Sequence, residues 1–215
     1  TNMWVNYFRE QGHHVLALTA KEDKSVKQIV PASKKVLVDK IARDKERGLK
    51  TRAIRAMVLG IPNVGKSTLL NHLAGKKIAS TGNRPGVTKG QQWLRFGSQL
   101  ELLDTPGILW PKFEDPAVGK KLALTGAIKD DLLHLDDLAL YLLEVFCRFY
   151  PEKLKERYKL SEDDLFMELP ELLMLISNKR GFKDDYERAS EMLILELRQG
   201  KLGRFTLDRF EELSE

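Results

Sequence analysis

A phosphate-binding loop is the strongest chemical signal in the sequence. The segment GIPNVGKS, from Gly60 to Ser67, matches the pattern G-x-x-x-x-G-K-[ST] in full. The glycines of such a loop let backbone N–H groups approach phosphate oxygens, its lysine reaches the β- and γ-phosphates, and its hydroxyl binds Mg²⁺. We therefore predict a nucleotide site in this loop. Its residues are Asn63, Val64, Gly65, Lys66, Ser67 and Thr68.

Two later segments carry residues that complete a hydrolytic site. Asp104-Thr105-Pro106-Gly107 closes an apolar strand pattern, where a carboxylate can hold Mg²⁺ and Gly107 can offer its amide to the γ-phosphate. Thr88, in RPGVTKG (84–90), is available as a further Mg²⁺ ligand. Their order and short spacing, rather than any one segment, predict nucleotide hydrolysis. The predicted catalytic residues are Lys66, Thr88, Asp104 and Gly107, and the predicted Mg²⁺ ligands are Ser67, Thr88 and Asp104.

Strand and helix patterns surround these residues in the order that the chemistry needs. AIRAMVLG (53–60) predicts a strand that runs into the loop, and STLLNHLAG (67–75) predicts the helix that leaves it. QQWLRFG and QLELLD flank Gly97-Ser98 and predict a hairpin. HVLALTA (14–20) predicts a further buried strand, and the pattern from Pro31 to Arg47 predicts a helix that ends at Gly48.

Beyond about Val118 the strand patterns stop and helical spacing takes over. The division predicts two domains, an α/β nucleotide-binding domain over 1–120 and an all-helical domain over 121–215. Charge follows a similar division: residues 1–125 carry 22 Lys and Arg against 10 Asp and Glu, whereas 126–215 carry 14 against 21. No apolar run approaches the length of a membrane span, so no membrane role is expected.

The single cysteine and the densest basic run carry weaker signals. Cys147 cannot form an intramolecular disulfide and is predicted to be a buried core residue of an intracellular protein. The run from Lys34 to Arg55 has two interpretations, a solvated helix face or a surface that contacts the phosphate backbone of nucleic acid. The sequence leaves both open.

The residues that would select the base of the nucleotide do not follow the loop in the usual order. GTP-binding proteins that combine such a loop with a DxxG segment read guanine with an Asn-Lys-x-Asp segment downstream of DxxG. The only downstream candidate, SNKRG (177–181), has glycine where aspartate is needed and is predicted to be a helix end instead. Upstream, Thr19-Ala20-Lys21 is similar to the Ser-Ala-Lys segment that lies against the base in GTPases, which is the order expected of a circular permutation.

With these motifs the chain resembles the YlqF/RbgA family of circularly permuted GTPases, the ribosome biogenesis GTPase A group. The resemblance covers essentially the whole chain. It is carried by TRAIRAMVLGIPNVGKSTLLN (51–71), TGNRPGVTKGQQW (81–93), ELLDTPGILWPKFED (101–115), VGKKLALTGAIKD (118–130) and GKLGRFTLD (200–208). It implies a circularly permuted P-loop GTPase domain, with a mostly parallel sheet and an antiparallel hairpin, followed by an all-α C-terminal domain. The guanine-reading segment would then precede residue 1, and the sequence is expected to start inside the G domain.

The resemblance also implies an activity and partners. It implies a cytoplasmic GTPase, monomeric in solution, that binds GTP or GDP with Mg²⁺ and contacts the large ribosomal subunit precursor and its rRNA late in maturation. Asn63 is similar to the loop asparagine that helps bind K⁺ in related GTPases, although a turn-forming role is an equal alternative. Candidate rRNA contacts are Arg84 and Lys89, the run Lys34–Arg55, and two patches of the helical domain, Lys153/Lys155/Arg157 and Arg198/Lys201/Arg204.

Ile108 leaves the mechanism incomplete and keeps two alternatives open. It occupies the position where Ras-type enzymes carry the glutamine that orients the attacking water, and its side chain cannot hydrogen-bond. We therefore expect slow intrinsic turnover that the ribosomal particle stimulates. The alternatives are an rRNA-binding factor for which nucleotide is only a conformational ligand, and a P-loop ATPase or nucleotide kinase.

Overall fold

A computed structural model describes residues 1–20, 22–50, 52–76 and 90–210. The chain divides into two compact units, which we call unit 1 (Thr1–Leu109) and unit 2 (Trp110–Glu215). The sequence-predicted boundary at residue 120 falls inside the first helix of unit 2. In the described part of the chain, no helix is both long enough and apolar enough to cross a bilayer.

Unit 1 is built on a three-stranded sheet in the order β1-β3-β2. β1 pairs with β3 in parallel and β2 pairs with β3 antiparallel, so the hairpin predicted around Gly97-Ser98 is confirmed. The strands are β1 (Ile54–Val58), β2 (Gln92–Phe96) and β3 (Leu100–Asp104). The helices are α1 (Asn2–Glu10), α2 (Asp23–Val26), α3 (Ile29–Val36), α4 (Val38–Glu46) and α5 (Lys66–Ala74). Leu70, Leu100 and Leu102 form the buried centre of this unit.

Two expectations for the start of unit 1 are wrong. Residues 13–19 are not a strand, because a strand needs a hydrogen-bonded neighbour and β1 pairs only with β3 among the described residues. The single helix predicted from Pro31 to Arg47 is two helices, because Leu37 leaves the helical region with φ −106° and ψ 17°. The predicted stop at Gly48 is confirmed, since its N–H donates to the carbonyl of Lys45 at 2.9 Å and ends α4.

Unit 2 contains helices, with two short 3₁₀ turns, in its described residues. The helices are α6 (Pro116–Leu124), α7 (Leu135–Phe149), α8 (Pro151–Tyr158), α9 (Leu169–Lys179) and α10 (Tyr186–Arg198). α7 and α10 pack against each other and both contact α9. Leu142, Leu143 and Phe146 of α7 are fully buried in one continuous core. Cys147 is partly buried at the edge of this core rather than within it as predicted, and burial raises the pKa of its thiol.

Candidate functional site

The parallel pairing of β1 and β3 brings the two phosphate-site motifs to one edge of the sheet. Val58 and Asp104 lie opposite each other at the carboxyl ends of these strands. The loop GIPNVGKS follows β1, and Thr105-Pro106-Gly107 follows β3. The Thr105 hydroxyl donates to the Val58 carbonyl at 2.7 Å and fixes the second motif to the end of β1. The carboxyl edge of such a sheet is where ligands bind in α/β proteins.

The loop has the backbone conformation that a phosphate cradle requires. Gly65 has φ +98°, a region that favours glycine, and it caps the N-terminus of α5. The first turn of a helix leaves backbone N–H groups without intrahelical acceptors, and the helix dipole favours an anion there. Ser67 and Thr68 lie in this turn. Asn63 has φ +59°, which asparagine tolerates better than most residues, so its turn-forming role is present in the structure.

Lys66 lies across the mouth of this loop. Its ammonium donates to the carbonyls of Gly60 at 3.0 Å and Ile61 at 2.9 Å. Because an ammonium has three N–H donors, these two bonds leave one for a phosphate oxygen. Partial burial lowers the pKa of Lys66, and the negative charge of Asp104 opposes that shift. The carbonyls therefore orient the ammonium near the sheet edge.

Asp104 has the environment of a cation ligand. Its residue is fully buried, yet neither carboxylate oxygen has a hydrogen-bond partner in the described residues. A buried carboxylate is costly unless a cation or hydrogen bonds compensate it. No cluster of three or more His, Cys, Asp and Glu suited to a metal occurs in the described ranges. A single buried carboxylate such as that of Asp104 nevertheless fits Mg²⁺, which is commonly held by one or two protein ligands together with substrate phosphates.

Gly107 lies directly against the phosphate loop. A Cβ atom at this position would come within 2.6 Å of the backbone N and Cα of Pro62, so only glycine fits without a backbone shift. The next residue, Ile108, donates its N–H to the Gly60 carbonyl at 3.3 Å, while its side chain is 65% exposed. The loop and the DTPG motif are therefore in backbone contact, as a phosphate sensor requires.

The predicted base-side residues are partly described. Thr19 and Ala20 precede α2, and the Thr19 carbonyl accepts the N–H of Glu22 at 3.0 Å. α2 packs against α5, the helix that begins in the phosphate loop. Lys21 and Thr88, together with the candidate rRNA contacts Arg84 and Lys89, lie outside the described residues.

SNKRG is a helix end, as predicted. α9 ends at Lys179, and the Asn178 side chain bonds twice to Asp184: its Nδ2 donates to Oδ1 at 2.8 Å, and its Oδ1 accepts the backbone N–H at 3.2 Å. Asn178 therefore stabilises a turn of unit 2.

The predicted basic patches of unit 2 are regrouped by the structure. Lys155 is paired with Glu152 and Glu162, Arg157 with Glu196, and Arg198 with Asp130. Arg198 also donates to the carbonyls of Ala123 and Leu124, at 2.8 and 3.1 Å, and so joins α10 to the end of α6. These arginines and Lys155 stabilise the fold, and sequence spacing could not distinguish them from solvent-facing cations.

Sequence reasoning missed two residues that shape the site. Pro62 packs on Gly107, and Thr105 bonds to β1. A proline inside the loop and a threonine in DTPG were visible signals, but their partners lie far away in the sequence. Only the parallel register of β1 and β3 brings them together.

Comparison with known proteins extends over both units. A protein-family model described as "50S ribosome-binding GTPase" matches residues 55–192. The chain is 52% identical to ribosome biogenesis GTPase A of Priestia megaterium, covering 97% of this chain and 74% of that protein. It is 31% identical to ribosome biogenesis GTPase A of Thermotoga maritima, covering 100% of this chain and 72% of that protein.

Solved structures give the same likeness. A GDP-bound structure of TM YlqF matches with a TM-score of 0.63 and 27% identity, covering 98% of this chain and 77% of that one. A GNP-bound structure of YlqF from Thermotoga maritima matches with a TM-score of 0.55 and 26% identity, covering 97% and 74%.

Proposed function

The chain belongs to the ribosome biogenesis GTPase A family, and from this premise we propose that the site at the carboxyl edge of β1 and β3 hydrolyses GTP to GDP and phosphate on the maturing large ribosomal subunit. The protein is a GTPase of ribosome assembly. The observation that carries the assignment of the site is Asp104, a fully buried carboxylate without a hydrogen-bond partner in the described residues, on the strand beside the phosphate loop.

Phosphate binding falls to the loop and the first turn of α5. Backbone N–H groups of residues 63–68 surround the phosphates, and Lys66 neutralises the β- and γ-phosphates with the donor that the two carbonyls leave. This arrangement supplies charge where it develops in the transition state. Such preorganised electrostatic stabilisation is the main source of catalysis in phosphoryl transfer.

Asp104 and Ser67 would hold Mg²⁺, with Thr88 as a further ligand. When bound, Mg²⁺ would neutralise negative charge on the phosphates. Asp104 would hold this cation from the buried end of β3, and the Ser67 hydroxyl would do so from the first turn of α5.

Gly107 couples the nucleotide state to the surface of unit 1. Its amide is the donor for the γ-phosphate, and its contact with Pro62 means that a shift of the loop moves the segment that begins at Gly107. This coupling supports nucleotide-dependent binding to the pre-ribosomal particle, which we propose takes place late in subunit maturation.

Slow intrinsic hydrolysis follows from Ile108, whose exposed apolar side chain cannot orient water. The ribosomal particle would supply or order the missing group, and so stimulate turnover.

We also assign Asn63 as a candidate ligand of K⁺, which would supply positive charge at the phosphates. Hydrolysis that is equal in KCl and NaCl would contradict this role.

We further propose a circularly permuted order for the GTPase domain, in which Thr19, Ala20 and Lys21 lie against the guanine base. The packing of α2 on α5 supports this placement.

Unit 2 would contact rRNA of the particle. The protein would act as a monomer in the cytoplasm, where ribosomes assemble.

The test is GTP hydrolysis with Mg²⁺, alone and with large-subunit precursor particles, for the wild type, Asp104→Asn and the control Glu114→Gln. Glu114 is an exposed carboxylate. Removal of one electrostatic group of an active site lowers kcat by about 10²–10³-fold, so we expect such a loss in Asp104→Asn and none in the control. Wild-type turnover in Asp104→Asn would refute the metal assignment, and an unstimulated wild type would refute the ribosomal activation.

A further inference from the structure

A groove in unit 2 gathers cations from distant parts of the sequence. It lies where α8, α9 and α10 end and has a volume of about 630 Å³. Among the described residues, one carboxylate, Glu156, lines it. The lining cations are Lys153, Arg157, Lys159, Lys179, Arg180 and Lys201. We call this surface the basic groove.

Half of these cations already have partners. Arg157 and Arg180 both bind the carboxylate of Glu196, which is 6% exposed and also accepts the Tyr158 hydroxyl at 2.9 Å. Lys179 donates to the Lys159 carbonyl at 2.6 Å and lies 3.7 Å from a carboxylate oxygen of Asp164. These three cations form the floor of the groove, where Arg157 and Arg180 leave one positive charge in excess over Glu196.

The other three, Lys153, Lys159 and Lys201, have no carboxylate partner among the described residues. Lys159 and Lys201 are exposed. The ammonium of Lys153 lies 5.8 Å from the Tyr150 ring centre and 2.9 Å from where a Cβ on Gly203 would be. The absence of a side chain at Gly203 therefore leaves room for this ammonium. The groove thus presents an unneutralised positive charge on a surface that is otherwise acidic, since 126–215 carry 14 Lys and Arg against 21 Asp and Glu.

The lining residues offer no apolar anchor. Tyr158 and Leu202 are both 2% exposed, and the Tyr158 hydroxyl is engaged by Glu196. Protein interfaces are dominated by aromatic and aliphatic anchors in their centres. Clustered lysines without exposed aromatic rings instead favour contacts to phosphates, which position nucleic acid without reading its sequence.

We propose that the basic groove binds the phosphodiester backbone of RNA through Lys153, Lys159 and Lys201. This inference rests on the proposed ribosomal function, and it identifies the surface of unit 2 that makes the contact. It replaces the two patches expected from sequence by one site that joins Lys153 to Lys201. Binding there is electrostatic and independent of RNA sequence.

The test measures affinity of the full chain for a fluorescent RNA duplex of arbitrary sequence over a range of KCl concentrations. The groove variant is Lys153→Gln/Lys159→Asn/Lys201→Gln. Its matched control is Lys112→Gln/Lys183→Asn/Lys129→Gln, which removes three exposed lysines that do not line the groove. Asparagine is used at 159 and 183 because both have positive φ, +57° and +49°.

Each phosphate contact contributes about one unit to the slope of log affinity against log salt, so we expect the slope of the groove variant to fall by about three. Its affinity near 0.1 M KCl should fall at least roughly tenfold, while the control stays within about twofold. The charge-preserving variant Lys153→Arg/Lys201→Arg should keep the wild-type slope, which separates lost charge from lost folding.

Three results would overturn the proposal. The salt slope of the groove variant could equal that of the wild type, or the control variant could lose as much RNA affinity as the groove variant. Alternatively, poly-glutamate of equal charge could compete for the wild-type protein as well as unlabelled RNA does, which would indicate an acidic protein partner. Failure of the proposed function looks different: the wild type itself would then show no particle-stimulated GTP hydrolysis.

Discussion

Unit 2 buries a large apolar core, whereas unit 1 has a small one and buries the Asp104 carboxylate at the edge of its sheet. In the described residues, 18 buried side chains form one cluster in unit 2, and three form the cluster of unit 1. One face of the unit 1 sheet leaves Met57 and Trp93 each 54% exposed, and its carboxyl edge buries Asp104, which has no hydrogen-bond partner in the described residues. Stability in this protein is therefore expected to reside in unit 2, and response to ligand in unit 1.

The largest expected effect is the loss of a ring from the core of unit 2. Phe146 is fully buried and lies 5.3 and 5.5 Å from the rings of Tyr150 and Phe205. Phe146→Ala should lower the free energy of unfolding of unit 2 by about 3–5 kcal/mol, through lost burial and an unfilled cavity. Phe166→Ala is the matched control, because that ring is 87% exposed and its removal should cost at most about 0.5 kcal/mol. Chemical denaturation measures both.

The contrast would be broken if Phe146→Ala also weakened GDP binding. GDP affinity within about twofold of the wild type, below 0.5 kcal/mol, is the expected result for a variant that leaves the unit 1 site intact. A tenfold loss would mean that the core of unit 2 supports the nucleotide site.

The next effect tests the buried ion network that underlies the basic groove. Burial acts to raise the pKa of Glu196, but hydrogen bonds from Arg157 and Tyr158 and the charge of Arg180 lower it overall. Glu196→Gln leaves two arginines without their counter-ion and should lower the free energy of unfolding by about 3 kcal/mol. Glu191→Gln, an exposed position on the same helix, is the control. If thermal denaturation gave the same stability for Glu196→Gln and Glu191→Gln, the network would make no net contribution to stability.

Nucleotide should sharpen the comparison. GDP with Mg²⁺ at about 100 times its dissociation constant stabilises the folded state that binds it by about 2.7 kcal/mol. Hydrogen exchange should therefore slow in β1, β3 and α5, where the site lies, and remain unchanged in α7 and α10. Equal protection of α7 and α10 would show that the two units respond together. ADP at the same concentration is the control for base selectivity.

The smallest effect is the pH dependence of one ion pair in unit 2. The Arg198 guanidinium lowers the pKa of Asp130 below its ordinary value of 3.8, although burial opposes the shift. A lowered folded-state pKa contributes stability above the unfolded pKa and loses it as pH falls through the folded pKa. The stability difference between the wild type and Asp130→Asn should therefore be present at pH 6 and vanish as the pH falls through the lowered pKa of Asp130 in the folded state. Asp131→Asn, a neighbouring exposed site, should show no such trend.

Much of unit 1's active edge was predictable from the sequence. The P-loop, the strand before it, the helix after it and the Gly97-Ser98 hairpin are all encoded by short-range patterns, and the structure has each of them. The strand that the same kind of pattern predicts at 14–20 is absent from the structure, because an apolar run becomes a strand only when another strand bonds to it. The break at Leu37 likewise interrupts a helical pattern that continues through it.

Sequence by itself determined the chemistry of the phosphate loop, because glycine spacing and one lysine specify a local backbone shape and a charge. Tertiary structure alone decided that Asp104 is buried beside that loop with no hydrogen-bond partner among the described residues, and that Gly107 touches Pro62. It also decided that Arg157 and Arg198 serve internal carboxylates while Lys153 and Lys201 meet in one groove. The physical reason is that local conformation depends on neighbours in the chain, whereas burial and ion pairing depend on residues that only the fold brings within a few ångströms.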